Sequence, residues 1–113
     1  MMVDANGTDL LEALVALANP HRMRIVWALG SGRNYVSQLA RDLEISRPLL
    51  HLHLQKLEAA GLVRSTLELS DDGKAMRFFE LAPFAIEATA ASIARYVEEH
   101  PNLGQSTTKE ESS

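Results

Sequence analysis

Apolar side chains recur every three or four residues over the first third of the chain, a spacing that predicts amphipathic helices. The first predicted helix follows Thr8, a candidate N-cap, and its apolar positions are Leu10, Leu11, Leu14, Leu17 and Ala18. The Asn-Pro pair at residues 19–20 is a cap followed by proline, so a second helix is predicted over residues 21–29. Ser37 is the predicted cap of a short third helix over residues 38–43.

The segment LHLHL, residues 50–54, alternates apolar and polar side chains and by itself fits a half-buried strand. The longer pattern favours a helix over residues 47–60, because Ser46 is a good N-cap and a glycine follows as a natural stop. Three leucines then share one face of this helix: Leu50, Leu54 and Leu57. His51 and His53 point about 200° apart around the axis. They therefore cannot hold one metal ion, which requires i,i+3 or i,i+4 spacing on a helix.

The pattern changes after residue 61 and predicts a β-hairpin. Residues 62–69 and 74–81 are the predicted strands, and the Asp-Gly turn within residues 70–73 joins them. A last helix is predicted over residues 84–99. Its apolar stripe consists of Ile86, Ala90, Ile93 and Val97.

Composition narrows the classes of function. A chain of 113 residues fits a single domain, and the absence of cysteine excludes disulfides and thiolate metal sites. We expect no membrane partner and no signal peptide, because the sequence contains no long apolar run, and we expect a cytoplasmic location. Residues 20–79 carry a net charge of +3, whereas residues 1–19 and 80–113 carry −3 and −4. This distribution fits contact between the middle of the chain and a polyanion, although ordinary scatter of surface charge would also produce it.

The order of these elements, helices followed by a hairpin, is that of a winged helix-turn-helix. Four segments resemble the ArsR-type (arsenic-repressor-like) transcriptional regulators, at residues 17–26, 36–43, 45–63 and 73–81. The resemblance implies a mainly α fold with about five helices and a two-stranded β-hairpin as the wing. We expect one winged helix-turn-helix domain over residues 8–100, with terminal dimerisation helices. A flexible N-terminus (residues 1–7) and a disordered tail (residues 101–113) are expected to flank it.

The same resemblance implies a homodimer that binds double-stranded DNA. The residues expected to face the bases are Arg47, Pro48, Leu49, His51 and Leu52. The residues expected to contact or approach the phosphates are Ser37, Gln38 and Lys56. Lys74 and Arg77 lie on the wing, residues 63–81, which is expected to contact the DNA backbone or the minor groove. The residues expected to form the dimer interface are Leu10, Leu14, Leu17, Ile86, Ala90, Ile93 and Val97. His53 is expected to have a structural role.

The chain departs from the family at positions that matter for sensing and for base recognition. The cysteine metal motif of the founding members is absent, and the last helix lacks the paired histidines of zinc-sensing members. No metal or cofactor is therefore expected. Arg47 is the only predicted base-facing residue with a forked donor, so we expect DNA shape and phosphate contacts to contribute more of the recognition.

The sequence thus predicts a dimeric, sequence-specific DNA-binding regulator, with repression as the expected mode of action. The alternative is a winged helix that binds another protein through Leu49 and Leu52 instead of DNA. An enzyme is not expected, because the histidines lie on separate elements and neither a nucleophile motif nor a glycine-rich phosphate loop occurs. An effector, the operator sequence and the choice between repression and activation are left open.

Overall fold

The computed structural model describes residues 9–105, so the predictions for Thr8, for residues 1–7 and for residues 106–113 lie outside it. The described chain folds into five helices and one three-stranded antiparallel sheet. In chain order the elements are α1 (Leu10–Leu17), α2 (Pro20–Leu29), β1 (Asn34–Tyr35), α3 (Val36–Leu43), α4 (Arg47–Ala59), β2 (Val63–Leu69), β3 (Ala75–Leu81) and α5 (Ala90–Glu99). None of these five helices is long and apolar enough to cross a membrane. The predicted fold class, mainly α with a β-hairpin, is confirmed.

Short polar side chains cap the N-termini of four of the five helices, namely α1, α2, α4 and α5. Asp9 caps α1, and its Oδ1 accepts a hydrogen bond from the backbone N–H of Glu12 at 3.1 Å. Asn19 caps α2 in the same way, as predicted. Ser46 caps α4, and its hydroxyl accepts from the N–H of Leu49 at 3.2 Å. Each cap satisfies a backbone donor that the first helical turn would otherwise leave unpaired.

The third helix begins earlier than predicted, because the preceding chain belongs to the sheet. Tyr35 is the residue before α3 and provides no side-chain cap, whereas the predicted cap, Ser37, lies inside the first turn. Asn34 and Tyr35 pair with Phe79 and Phe78 of β3. A two-residue strand shows no periodicity of its own, so this third strand was not predicted.

The hairpin is confirmed and forms the wing. β3 is the central strand of the sheet, with β1 on one side and β2 on the other. Seven residue pairs join β2 to β3, from Val63 opposite Leu81 to Leu69 opposite Ala75. Gly73 adopts a φ of 84° in the connecting turn, a left-handed conformation that glycine adopts without strain.

The last helix is shorter than the predicted span of residues 84–99, and it begins at Ala90. Thr89 and Ser92 form a reciprocal capping box, with bonds of 3.0 Å from the Ser92 N–H and 2.9 Å from the Thr89 N–H. Residues 82–89 have no regular structure, and Ile86 packs with Phe84 against the core. The predicted stripe of four residues is therefore wrong at Ile86, because core packing and this cap outweigh the helix propensity of the alanine-rich segment.

The core is built around α4. Leu50, Leu54 and Leu57 are completely buried, as the predicted helix face requires. They pack with Leu39 of α3 and with apolar residues of α1, α2, β2 and β3. The helical interpretation of residues 47–60 is confirmed, and the helix ends one residue earlier, at Ala59.

His53 lies at the edge of this core and is held by an arginine. The Arg22 guanidinium donates from Nε to the Ala16 carbonyl at 2.6 Å and from Nη1 to His53 Nδ1 at 3.2 Å. Because Nδ1 accepts, the ring proton resides on Nε2, which has no hydrogen-bond partner among the described residues. Burial, and after it the positive charge of Arg22, holds the pKa of His53 below its ordinary value of 6.5.

A second polar cluster, formed by Asp9, Tyr96 and His100, connects α5 to the start of α1. The Tyr96 hydroxyl lies 2.7 and 2.9 Å from the two carboxylate oxygens of Asp9, and His100 Nε2 lies 3.8 Å from Asp9 Oδ2. The Tyr96 and His100 rings stack with centroids 3.9 Å apart. Burial and the hydrogen bond to Asp9 raise the pKa of Tyr96 to about 12, so the hydroxyl remains protonated and donates. This long-range contact orients α5 relative to α1.

The lowered pKa of His53 predicts a specific loss of stability in acid. The unfolded chain takes up a proton near pH 6.5 that the folded chain accepts only at lower pH, so the free energy of unfolding falls as pH decreases through this window. His53→Asn keeps an acceptor for Arg22 but cannot titrate, and we expect it to lose less stability than the wild type between pH 7.5 and 5. Urea unfolding at both pH values measures this difference. His51→Asn, at an exposed position of the same helix, should follow the wild type; equal pH dependence for wild type and His53→Asn would refute the assignment.

Candidate nucleic-acid interface

The outer face of α4 is the central feature of the candidate interface. Since Leu50, Leu54 and Leu57 point into the core, the opposite side of the helix faces away from it. All five residues predicted to face the bases are exposed: Arg47, Pro48, Leu49, His51 and Leu52. The exposed side chains of the helix therefore include one cation, one imidazole and two leucines.

Some of the basic side chains are bonded to other groups of the described chain, and others are not. Arg33 forms a two-bond pair with Glu68, at 2.5 and 3.0 Å, and Arg64 pairs with Glu80 at 3.0 Å. By contrast, the side chains of three predicted contact residues form neither an ion pair nor a hydrogen bond within residues 9–105: Arg47, Lys56 and Lys74. Of the nine basic residues of the basic middle segment, these three have side chains with no such bond in the described part of the chain, so all their donors are available to an external anion.

A chain of hydrogen bonds connects the wing to α4. Arg77 of β3 donates from Nη1 to the Ser65 hydroxyl of β2 at 3.1 Å. The Ser65 hydroxyl in turn donates to Glu58 Oε2 of α4 at 3.2 Å. The wing arginine is thereby oriented relative to the end of α4, although no sequence pattern indicated the contact.

The predicted contacts on α3 are only partly available. Ser37 and Gln38 are partly exposed. The amide of Gln38 is occupied at both ends, because its Nε2 donates to Asp42 at 2.7 Å and its Oε1 accepts from Arg41 at 2.5 Å. One N–H of Gln38 Nε2 remains able to donate to a phosphate, and Arg41 is an exposed cation on the same helix.

Gln55 is an exposed residue of α4 that was not among the predicted contacts. Gln55 lies one turn beyond His51, and a glutamine amide can bind adenine through two hydrogen bonds. The i,i+4 spacing from His51 was the signal that could have identified it. Arg47 is therefore not the only residue of this face with a forked hydrogen-bonding group.

The residues predicted for the dimer interface differ in their exposure. Leu10 is only 6% exposed and already packs within the chain, and Leu17 is partly buried. The exposed predicted residues are Leu14, Ala90, Ile93 and Val97. Leu11 and Val15 of α1 are also exposed, although they were not predicted. Both α1 and α5 therefore present apolar side chains outward in a single chain.

Over residues 9–105, no three His, Asp or Glu side chains lie close enough together to hold a metal ion. His51 is exposed on the outside of α4, whereas His53 is buried against Arg22. The two histidines of the LHLHL segment therefore lie in different environments and do not converge.

Comparison with known proteins agrees with this geometry. A family model described as a helix-turn-helix domain matches residues 17–66. An uncharacterised HTH-type transcriptional regulator of Methanocaldococcus jannaschii is 38% identical over 76 residues, which cover 67% of this chain and 79% of that protein. The structure of HlyU from Vibrio cholerae is similar with a TM-score of 0.58 and 26% identity, covering 89% of this chain and 98% of that one.

A further similar structure bears on the fold. It is the homodimeric winged helix-turn-helix DNA-binding domain of a possible ArsR-family regulator from Mycobacterium bovis, with a TM-score of 0.58, 20% identity and 88% coverage of both chains. None of these proteins supports the alternative function, a protein-interaction module. The chain belongs to the HTH-type transcriptional regulators, and its fold is the winged helix-turn-helix of their ArsR-like members.

Proposed function

We propose that this chain regulates transcription as a dimeric, sequence-specific DNA-binding protein in the cytoplasm, with repression as its mode of action and without a catalytic role. α4 would enter the major groove, and the hairpin would contact the backbone or the minor groove. The observation that carries the proposal is the position of the unpaired cations. Arg47 is exposed at the first residue of α4 and Lys56 is exposed on its outer side, and Lys74 lies in the turn immediately before β3.

Each exposed side chain of α4 has a distinct chemical use on DNA. The Arg47 guanidinium matches the two acceptors of guanine in the major groove, and the Gln55 amide matches adenine. Leu49 and Leu52 can contact the methyl group of thymine. Lys56 offers a point charge to a phosphate, which adds affinity without sequence preference.

The wing would supply the second set of backbone contacts. Lys74 is exposed and unpaired, and Arg77 has a single hydrogen bond to a neutral hydroxyl, so both retain donors for phosphate oxygens. The link through Ser65 to Glu58 supports simultaneous contact by the wing and α4, because it limits their relative movement.

Dimerisation would bring two copies of α4 to successive major grooves. Leu14 of α1 and Ile93 and Val97 of α5 are exposed apolar residues on helices that Asp9 and Tyr96 hold together. Burial of these side chains against a second copy would remove apolar surface from water. Two recognition helices about 34 Å apart would match half-sites separated by one turn of DNA.

The DNA-binding proposal is tested by selecting bound genomic fragments with the purified protein and sequencing them. We expect one preferred site that binds at least about a thousandfold more tightly than random duplex at physiological salt. Lys74→Ala should weaken binding to all sequences and reduce the salt slope by about one unit per half-site. Arg95→Ala, which removes an exposed cation from α5, is the matched control and should leave the slope unchanged. Equal affinity for the selected site and for random duplex would overturn the proposal.

Base recognition by Arg47 is tested by separating its charge from its shape. Arg47→Ala should cost about 1–3 kcal/mol on the preferred site and relax the preference at one base pair per half-site. Arg47→Lys keeps the charge but loses the planar fork, so it should restore affinity for random duplex without restoring that preference. A full preference in Arg47→Ala would show that another residue reads this base pair.

The proposed dimer interface is tested by placing a charge on α5. Ile93→Asp should shift the protein towards monomer in sedimentation equilibrium, because an unpaired carboxylate would be buried between two copies. Leu69→Asp introduces the same charge at an exposed apolar position of the hairpin and should leave the dimer intact. A dimer of unchanged affinity in Ile93→Asp would place the interface elsewhere.

A further inference from the structure

An open groove lies between α1 and the second half of α4. Its volume is about 490 Å³, within the range of small-molecule sites. Val15 and Ala16 line one side, Leu52, Lys56 and Ala59 line the other, and Arg22 reaches the groove from α2. Val15 and Leu52 are 61% and 50% exposed, so the walls offer large apolar side chains that the chain itself does not cover.

Arg22 gives this groove a positive charge for which residues 9–105 provide no counter-ion. Its guanidinium is partly buried, and its two hydrogen bonds go to the Ala16 carbonyl and to His53. Both acceptors are neutral, since burial keeps His53 unprotonated at neutral pH. No carboxylate in residues 9–105 forms an ion pair with Arg22, although buried arginines are ordinarily paired.

The charges around the groove identify the kind of ligand that would fit. Arg22 and Lys56 are cations and Glu12 is the one acid of the lining, so the groove carries a net charge of +1. Nη2 of Arg22 makes no hydrogen bond in the described chain and remains free to donate. A carboxylate matches the donor geometry of a guanidinium, and a monoanion matches the net charge. The apolar walls suit an attached hydrocarbon chain.

We propose that this groove binds an amphipathic carboxylate, with its head group at Arg22 and Lys56 and its apolar chain along Val15, Leu52 and Ala59. Because Leu52 and Lys56 also belong to the proposed DNA interface, the ligand and DNA would exclude each other. The exclusion of DNA by the ligand rests on the proposed function, whereas the binding of the carboxylate to the groove does not. The protein would thus release DNA when such a carboxylate accumulates.

The binding step is tested without DNA by titrating the full chain with sodium octanoate and following methyl NMR signals. We expect saturable shifts at Val15 and Leu52, about tenfold weaker binding of 1-octanol, which lacks the charge, and no shifts with acetate. Ala59→Phe should fill the groove and abolish the shifts, whereas Ala88→Phe, at an exposed residue outside the lining, should preserve them. Equal binding of octanol and octanoate, or shifts that persist in Ala59→Phe, would overturn the site. The octanoate site would also be overturned if the signals of these methyl groups shifted with protein concentration and not with octanoate. The groove would then be a contact surface for a second copy of the chain.

The exclusion step is tested separately by fluorescence anisotropy with the selected duplex. At an octanoate concentration ten times its dissociation constant, competition predicts about an elevenfold rise in the apparent dissociation constant for DNA. Ala59→Phe should bind DNA with the same affinity with and without octanoate. An unchanged DNA affinity of the wild type at saturating octanoate would overturn the exclusion. Absence of any DNA binding would instead contradict the proposed function, while the NMR titration would still decide the site.

Discussion

The burial of three leucines on one face of α4 fixes the position of everything else at the candidate interface. Leu50, Leu54 and Leu57 are fully buried, and burial of each stabilises the fold by about 1.5–3 kcal/mol. A rotation of the helix about its axis would expose these side chains and bury charged ones. The outward direction of Leu52 and Gln55 is thus a consequence of core packing, because both lie on the side of the helix opposite the buried leucines. Arg47 is exposed at the first residue of the helix.

The charge of the candidate interface depends on a second constraint, which is the bonding of other arginines within the chain, at the sheet and at the edge of the core. Arg33 and Arg64 are neutralised by glutamates in and beside the sheet, and Arg22 serves the edge of the core. A chain with a net charge of −4 can in this way still present a locally basic face to DNA. The contact from Glu58 through Ser65 to Arg77 then joins the helix and the hairpin into one surface.

Local signals made most of the fold predictable, and contacts between distant residues account for what was missed. The caps Asn19 and Ser46 and the stripe of leucines on α4 are encoded within a few residues, and the structure confirms them. The start of α5 and the strand β1 depend on packing against the core and on pairing with β3, which no short window contains. At the candidate site, the spacing of α4 could have identified Gln55. The bonds of Gln38 to Asp42 and Arg41 have i,i+4 and i,i+3 spacing, so the helical pattern could have indicated them as well. The pairing of Arg22 with His53, 31 residues apart, was beyond sequence reasoning.

The central claim, that the outer face of α4 contacts DNA, is tested most directly by residue-specific protection. Because the chain contains no cysteine, a single introduced thiol reports only on its own position. Alkylation rates are measured for His51→Cys, Gln55→Cys and Trp27→Cys with and without the selected duplex; Trp27 is 72% exposed on α2. The account predicts that DNA slows alkylation at positions 51 and 55 and leaves position 27 unchanged. Protection at position 27 with none at positions 51 and 55 would contradict it.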